Sequence, residues 1–166
     1  KVRQALSTAI DRETLVNKVQ QGVDKPAYSW IPPGVPGHQP DLGRQYKIDE
    51  HAARQLLADA GYPGGLGLPT LSLQYPNVRN NALLAQYIQE QWKVHLGIDV
   101  KLEPMETKTY SQAVTKGQYM MGFITWNGDY PDPDNWLPEV FRSGSKNNLT
   151  RYSNPKFDDL ADKAIG

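Results

Sequence analysis

The sequence contains no cysteine and no long apolar run. Without cysteine, the chain has no disulfide, no thiolate metal site and no thiol nucleophile. It also has no stretch of about 18 consecutive apolar residues, so nothing in it predicts a helix that crosses a bilayer. The absence of cysteine is compatible with the cytoplasm and with the bacterial envelope, and it does not locate the protein.

An excess of charge of one sign is also missing, because lysine plus arginine and aspartate plus glutamate each number 18. A balanced chain has no net field that would attract nucleic acid or an anionic membrane, and we expect no nucleic-acid partner. The length of 166 residues is sufficient to bury the core of one domain. We therefore interpret residues 1–166 as a single domain.

The motifs of common catalytic sites are missing as well. The sequence has no G-x-S-x-G elbow, no H-E-x-x-H pair and no Walker loop. The glycine-rich stretch 63–69 lacks the Gly-Lys-Ser/Thr ending of a phosphate loop, so we interpret it as a connector. His38, His51 and His95 occur in unrelated contexts, and we expect each at the surface. The sequence therefore predicts no catalytic residue, no metal site and no cofactor.

The spacing of apolar residues predicts helices and strands in alternation. Strand patterns cover residues 71–75, 98–102 and 119–125, and helical spacing covers 2–10, 11–22, 49–60, 79–96 and 110–116. Successive strands joined by helices form parallel crossovers, so the fold class is α/β with a central, mainly parallel sheet flanked by helices. The apolar run from Met120 to Ile124 is typical of a strand covered on both faces.

Capping residues mark the helix boundaries. Side chains that accept from a first helical turn are predicted at Asp11, Asp49, Asp132 and Asn154. Glycines that end helices are predicted at Gly22, Gly61, Gly97 and Gly117. The prolines of residues 26–40 exclude regular structure, so this segment is predicted to be a loop.

The densest group of carboxylates lies between the last strand and the helix that begins at Asp132. Asp129, Asp132 and Asp134 lack the glycine and the closing glutamate of a calcium loop. They also share one loop, whereas the carboxylates of a glycosidase face a sugar from both sides. Asp132 and Asp134 are explained by the first turn of the helix, where carboxylates interact favourably with the helix dipole. Asp129 has no such local role.

Asp129 stands between two aromatic residues, Trp126 and Tyr130. A carboxylate in a largely dry site needs a cation, and a ligand ammonium would contribute about 1.5–3 kcal/mol as a charged hydrogen bond. We predict that both aromatic residues flank the ligand and contact the same ammonium by cation–π interaction, although packing alone would explain them equally well. Asn127 is a candidate for a hydrogen bond to a ligand main chain.

Four stretches of the sequence resemble one family. The string W-x-G-D-Y-P-D-P-x-N at 126–135, preceded by Lys-Gly-x-Tyr at 116–119, is similar to the large-lobe signature of the family 5 extracellular solute-binding proteins. Residues 2–12, 49–62 and 152–155 are similar to further segments of the same family. These proteins are the oligopeptide, dipeptide and nickel receptors of ABC importers.

The resemblance implies a periplasmic-binding-protein-like (type II) lobe in which the strand at 71–75 lies between the other two. It implies a fragment of the C-terminal lobe of a longer protein, whose two lobes close by a hinge over a ligand. In peptide-binding members, the aspartate at this motif position holds the peptide α-ammonium, which implies that role for Asp129. The implied partners are a small-molecule or peptide ligand, the missing N-terminal lobe and an ABC permease. The implied location is periplasmic or extracellular, attached to the bacterial envelope.

Other interpretations stay open at this point. A small α/β enzyme acting on an amine or a sugar would use Asp129 as its base, and an interaction module would reuse the lobe fold without a ligand. The solute is undecided among peptides, dipeptides, metal chelates and sugars. A helix begins at residue 2 without a cap, and another is under way at the last residues, so we expect an excised domain or a fragment. A complete protein of this length is the alternative.

Overall fold

The computed structural model describes residues 1–78 and 80–165. Arg79, at which we predicted the long helix to begin, lies outside the described residues, as does Gly166. The strands are β1 (Leu71–Pro76), β2 (Val100–Met105) and β3 (Met121–Gly122). The α-helices are α1 (Val2–Thr8), α2 (Arg12–Thr14), α3 (Glu50–Ala58), α4 (Asn81–Leu96), α5 (Thr107–Lys116), α6 (Pro133–Trp136), α7 (Pro138–Phe141) and α8 (Pro155–Ile165); a π-helix (Leu15–Val19) continues α2, and short 3-10 helices cover Arg44–Tyr46 and Pro63–Gly65. In the described ranges, none of these helices is both long and apolar enough to traverse a membrane.

Side-chain caps start the helices where the sequence predicted them. The predicted capping oxygens accept from main-chain N–H groups of the first turn at distances of 2.9 to 3.1 Å and belong to Asp11, Asp49, Asp132 and Asn154. The start of α5 was predicted wrongly, because the helix begins at Thr107 and not at Tyr110. The reason is a cap that we did not predict, since Glu106 accepts from the N–H groups of Lys108 and Thr109 at 2.9 Å.

The sheet is parallel, with strand order β2-β1-β3. Leu71 is paired with Val100, and Leu73 with Met121. This confirms the prediction that the first strand in sequence is the middle strand in space. β2 lies slightly later in the chain than predicted, because Ile98 is buried just before the strand and does not belong to it.

The prediction for the third strand was wrong in its length and in its burial. β3 has only two residues, and the rest of the predicted segment, 119–125, is not paired. Met120 is 53% exposed, so the segment is not covered on both faces. Among the described strands, β3 pairs with β1 alone, at the edge of the sheet opposite β2.

The hydrophobic core lies between the sheet and helices α1, α3 and α4. α1 packs on α3, and the indole of Trp92 in α4 is buried between them and β1. Among the largest fully buried apolar side chains are Leu57 of α3 and Leu96 of α4. Tyr75, near the carboxyl end of β1, belongs to this core, and Phe123, which follows β3, packs against it.

Two of the three histidines depart from the predicted surface position. His51 is exposed, as predicted. The His95 side chain is only 11% exposed and lies with Nδ1 2.9 Å from Glu50 Oε1, because α4 packs against α3. His38 is half-buried, with Nδ1 2.7 Å from the carbonyl oxygen of Ile31, because the proline-rich loop folds back on itself.

The proline-rich loop is irregular, as predicted, and is held by aromatic and arginine contacts. The Arg12 guanidinium lies 5.3 Å from the centre of the Tyr28 ring and donates to the carbonyl oxygen of Tyr46 at 2.9 Å. Trp30 packs edge-on against Phe141 of α7, with ring centres 5.2 Å apart. These aromatic side chains therefore attach the loop to the body of the domain.

Candidate functional site

The candidate site is the loop of residues 126–131, called here the acidic loop, which is part of the connection 123–132 between β3 and α6. In open α/β sheets, ligands bind in the crevice outside the carboxyl ends of the strands. The acidic loop follows the carboxyl end of β3, directly beside the middle strand β1. One loop therefore carries all four residues that we predicted to bind a ligand.

Asp129 is exposed on this loop. Its main-chain N–H donates to Asn135 Oδ1 at 3.0 Å. Across residues 1–78 and 80–165, its carboxylate takes part in none of the hydrogen bonds or ion pairs. The described residues do not supply the dry surroundings that we expected for this carboxylate, and they leave it free to meet a ligand.

The aromatic residues on either side of Asp129 differ in their surroundings. Trp126 is half-buried, and its indole Nε1 is buried without a hydrogen-bond partner in the described part of the chain. Tyr130 is 44% exposed, and its hydroxyl donates to Asp134 Oδ2 at 3.1 Å. Desolvation and this hydrogen bond raise the pKa of the Tyr130 hydroxyl, which therefore stays neutral around pH 7. Asn127 is exposed on the same loop.

Gly128 brings the acidic loop into direct contact with α6. A Cβ atom at this position would lie 2.6 Å from Cζ2 of Trp136 and 3.1 Å from Asn135 Oδ1. Any side chain would therefore have to push the loop away from the indole. The glycine explains how the main chain of Asp129 comes within hydrogen-bond distance of α6.

A buried polar network supports the acidic loop, and sequence reasoning did not identify it. Asn135 is 0% exposed, and its Nδ2 donates to Glu139 Oε2 at 3.1 Å. Glu139 Oε1 accepts from Asn147 Nδ2 at 3.0 Å. The spacing of Asn135 and Glu139 by four residues is a signal in the sequence, since such pairs face each other along a helical segment.

The remaining charged groups near the acidic loop do not form a metal centre. Within residues 1–78 and 80–165, no cluster of three or more His, Asp or Glu side chains is arranged to hold a metal ion. Asp132 and Asp134 serve the first turn of α6, with Asp132 Oδ1 accepting from the Asp134 N–H at 3.1 Å. The chemistry available at the loop is therefore the acceptance of hydrogen bonds and positive charge.

Comparison with known proteins identifies the family. The model of the bacterial extracellular solute-binding proteins, family 5 (middle), matches residues 1–148. This chain belongs to family 5 of the bacterial extracellular solute-binding proteins. Members of this family are non-enzymatic transport receptors, so the competing prediction of a small α/β enzyme is not supported.

The relatives of the chain include proteins named for peptides and one named for heme. Heme-binding protein A of Haemophilus influenzae is 32% identical over 100% of this chain and 31% of its own length. The periplasmic oligopeptide-binding protein OppA of Salmonella typhimurium is 36% identical over 96% of this chain and 30% of its own length. The chain thus spans about a third of the length of these family 5 relatives.

The fold is also that of known family 5 structures. The unliganded open form of the periplasmic murein tripeptide-binding protein MppA matches with a TM-score of 0.88 and 33% identity. The match covers 98% of this chain and 32% of that protein. The predicted periplasmic-binding-protein-like α/β fold is therefore confirmed, whereas the residue roles at the acidic loop are not tested by these comparisons.

Proposed function

We propose that this chain is part of the C-terminal lobe of a peptide receptor of an ABC importer and that its acidic loop forms one wall of the ligand cleft. Membership of family 5 and the relatives named for oligopeptides support this proposal. The observation that carries it is the exposed Asp129 carboxylate, which no described residue pairs, at the carboxyl end of the sheet.

Asp129 anchors the α-ammonium of the peptide in this proposal. The carboxylate accepts a charged hydrogen bond worth about 1.5–3 kcal/mol, which corresponds to a factor of roughly 10 to 150 in affinity. Trp126 and Tyr130 flank the ammonium with their rings, where a cation–π contact adds to the attraction. Asn127 is exposed beside them and hydrogen-bonds to the peptide main chain.

The receptor captures its ligand by closing two lobes over it. The partners are therefore a peptide, the N-terminal lobe of the same receptor and the ABC permease that receives the ligand. The receptor acts in the periplasm or outside the cell, attached to the bacterial envelope. The chain alone binds peptides weakly or undetectably, because it supplies one wall of the cleft and lacks the contacts that enclose the ligand.

Calorimetric titration of the full-length receptor with a pool of di- to hexapeptides tests the proposal. Asp129→Asn should weaken the binding of peptides with a free amino terminus and leave the weak binding of N-acetylated peptides unchanged. Asp41→Asn is the matched control, because Asp41 is an exposed carboxylate that pairs with Arg44. Equal peptide affinities of Asp129→Asn and the unmodified receptor would overturn the anchor. Failure of the receptor to bind any peptide would redirect the ligand to sugars or metal chelates.

A further inference from the structure

Asn135 connects the acidic loop to the rest of the domain. Its side chain is completely buried, yet its amide has a partner at each end. Oδ1 accepts from the Asp129 N–H at 3.0 Å, and Nδ2 donates to Glu139 Oε2 at 3.1 Å. A buried amide with satisfied partners is held in one orientation, since an unmet group would cost the full desolvation penalty.

Glu139 determines which way this amide points. A carboxylate only accepts hydrogen bonds, so the NH₂ group of Asn135 must face Glu139 and the oxygen must face Asp129. Glu139 is itself held, because Oε1 accepts from Asn147 Nδ2 at 3.0 Å and its main-chain oxygen accepts from the Ser145 hydroxyl. The direction of every hydrogen bond in this series is therefore fixed by the chemistry of the side chains.

Few hydrogen bonds hold the acidic loop in place. In the described part of the chain, the loop is joined to α6 by the Asp129 N–H to Asn135 bond and by the Tyr130 hydroxyl to Asp134 bond, and to the N-cap of α6 by the Asp132 N–H to Tyr130 carbonyl bond. The Tyr130–Asp134 bond is exposed to solvent, whereas the Asp129–Asn135 bond ends on a fully buried side chain. The position of the Asp129 main chain thus depends chiefly on Asn135.

We propose that Asn135 is a positioning residue for the ligand anchor and that Glu139 sets its orientation. Asn135 fixes the main chain of Asp129 and so determines where the Asp129 carboxylate meets a ligand ammonium. Neither residue touches the ligand. This inference rests on the proposed role of Asp129.

Reversing the direction of the hydrogen bonds tests this inference in the full-length receptor. Asn135→Asp places a carboxylate against the Glu139 carboxylate, and the two acceptors repel each other. Glu139→Gln leaves one of the two donors, Asn135 Nδ2 or Asn147 Nδ2, without an acceptor. Each single variant should lower the affinity for a free-amino tripeptide about 5- to 150-fold, the range expected when one buried partner is lost.

The double variant should recover the affinity. The introduced amide would donate to the introduced carboxylate and still accept from Asn147, while the carboxylate would still accept from the Asp129 N–H. Every contact in the series then joins a donor to an acceptor, a condition that Asn135→Asp violates with two facing acceptors and Glu139→Gln with two facing donors. Asn17→Asp is the matched control for the added charge, because Asn17 is exposed in a different part of the chain.

The readout is the ratio of the affinities for the free-amino tripeptide and for its N-acetylated form. We expect both single variants to reduce this ratio, the double variant to restore it, and the affinity for the acetylated peptide to stay within about twofold. On the Asp129→Asn background, the substitutions should have no further effect on the ratio. A general structural role would instead lower both affinities together. Glu139→Gln, at a half-buried position, provides the test if Asn135→Asp does not fold.

The outcomes separate the two proposals. A ratio that Asp129→Asn does not change would overturn the anchor and, with it, the positioning role. A ratio that falls in Asp129→Asn but is unchanged in the Asn135 and Glu139 variants would overturn the positioning role alone. The same conclusion would follow if the double variant bound no better than the single ones.

Discussion

The indole N–H of Trp92 donates to the main-chain carbonyl oxygen of Leu6 over 2.8 Å in the interior of the domain. This bond joins α4 to α1, although the two residues are 86 positions apart in the sequence. Both residues belong to the buried core, so water cannot easily replace either partner.

Trp92→Phe should therefore destabilise the protein. The carbonyl oxygen of Leu6 would lose its indole donor, and the smaller ring would leave space in the core. We expect a loss of about 1–3 kcal/mol in the free energy of unfolding from the unmet oxygen, with a further packing loss. Urea unfolding measures the change. Trp136→Phe is the control, because its buried Nε1 has no partner among the described residues. An equal or larger loss at Trp136 would contradict the prediction.

Gly43→Ala should be among the most damaging glycine substitutions. The residue has a φ of 83°, and a Cβ atom would lie 1.8 Å from the carbonyl oxygen of Tyr28. Gly34→Ala measures the cost of the positive φ alone, because Gly34 has a φ of 92° with nothing within 4 Å of an added Cβ. We expect Gly34→Ala to cost about 1–2 kcal/mol and Gly43→Ala clearly more. Similar thermal unfolding of the two variants would show that the close approach to Tyr28 is not required.

Gly128→Ala should weaken peptide binding through the acidic loop. The added methyl group would collide with the Trp136 ring and move Asp129 away from Asn135. In calorimetry of the full-length receptor, we expect the affinity for free-amino peptides to fall. Adding Trp136→Phe should recover part of it, because the colliding indole atoms are removed. Unchanged binding by Gly128→Ala would show that the packing of the loop on α6 is not needed for capture.

Stability should depend on pH through Asp158 of α8. The Ser143 N–H donates to Asp158 Oδ1 at 2.9 Å, which lowers the pKa of this carboxyl below its ordinary value of 3.8. The ionised group therefore stabilises the fold above pH 3.8, and this contribution is lost as the pH falls through the lower folded-state pKa.

Asp158→Asn should accordingly have a lower melting temperature than the unmodified protein near neutral pH. The difference should shrink as the pH is lowered from about 6 to about 2.5. Asp159→Asn is the control, because it removes an exposed pair with Lys163 within α8 and should change the melting temperature little. If the difference in melting temperature between Asp158→Asn and the unmodified protein were constant across this pH range, the stabilising role of ionised Asp158 would be contradicted.

Sequence reasoning succeeded where the determinants are local. Asp49 and Asn154 cap their helices as predicted, because a cap depends on the few residues that follow it. The alternation of Leu71, Leu73 and Tyr75 identified the strand β1 for the same reason, whereas its middle position followed from the family resemblance.

The errors concern features that are set by distant parts of the chain. The length of β3 depends on how far the segment runs alongside β1, and the apolar content of Met120 and Met121 does not report that distance. The side chain of His95 is covered by α3, and the sequence pattern of α4 alone does not predict this contact. At the candidate site, Asp129 was predicted from the residues of its own loop, whereas the contacts that hold Asn135 run through Glu139 to Asn147, which lies outside that loop.

The order of the strands also has a consequence for the way this chain folds. Of the three strands described here, β1 comes first in the sequence, yet it lies between the other two and pairs with partners that follow one and two helices later. Parallel pairing of this kind cannot begin until the crossover helix is complete. During synthesis, α1 and α3 can associate before β2 and β3 are made, whereas β1 must wait for these two partners. The rate of folding should therefore be limited by the closure of these long crossovers, and the waiting strand is the part of the chain most exposed to misassociation.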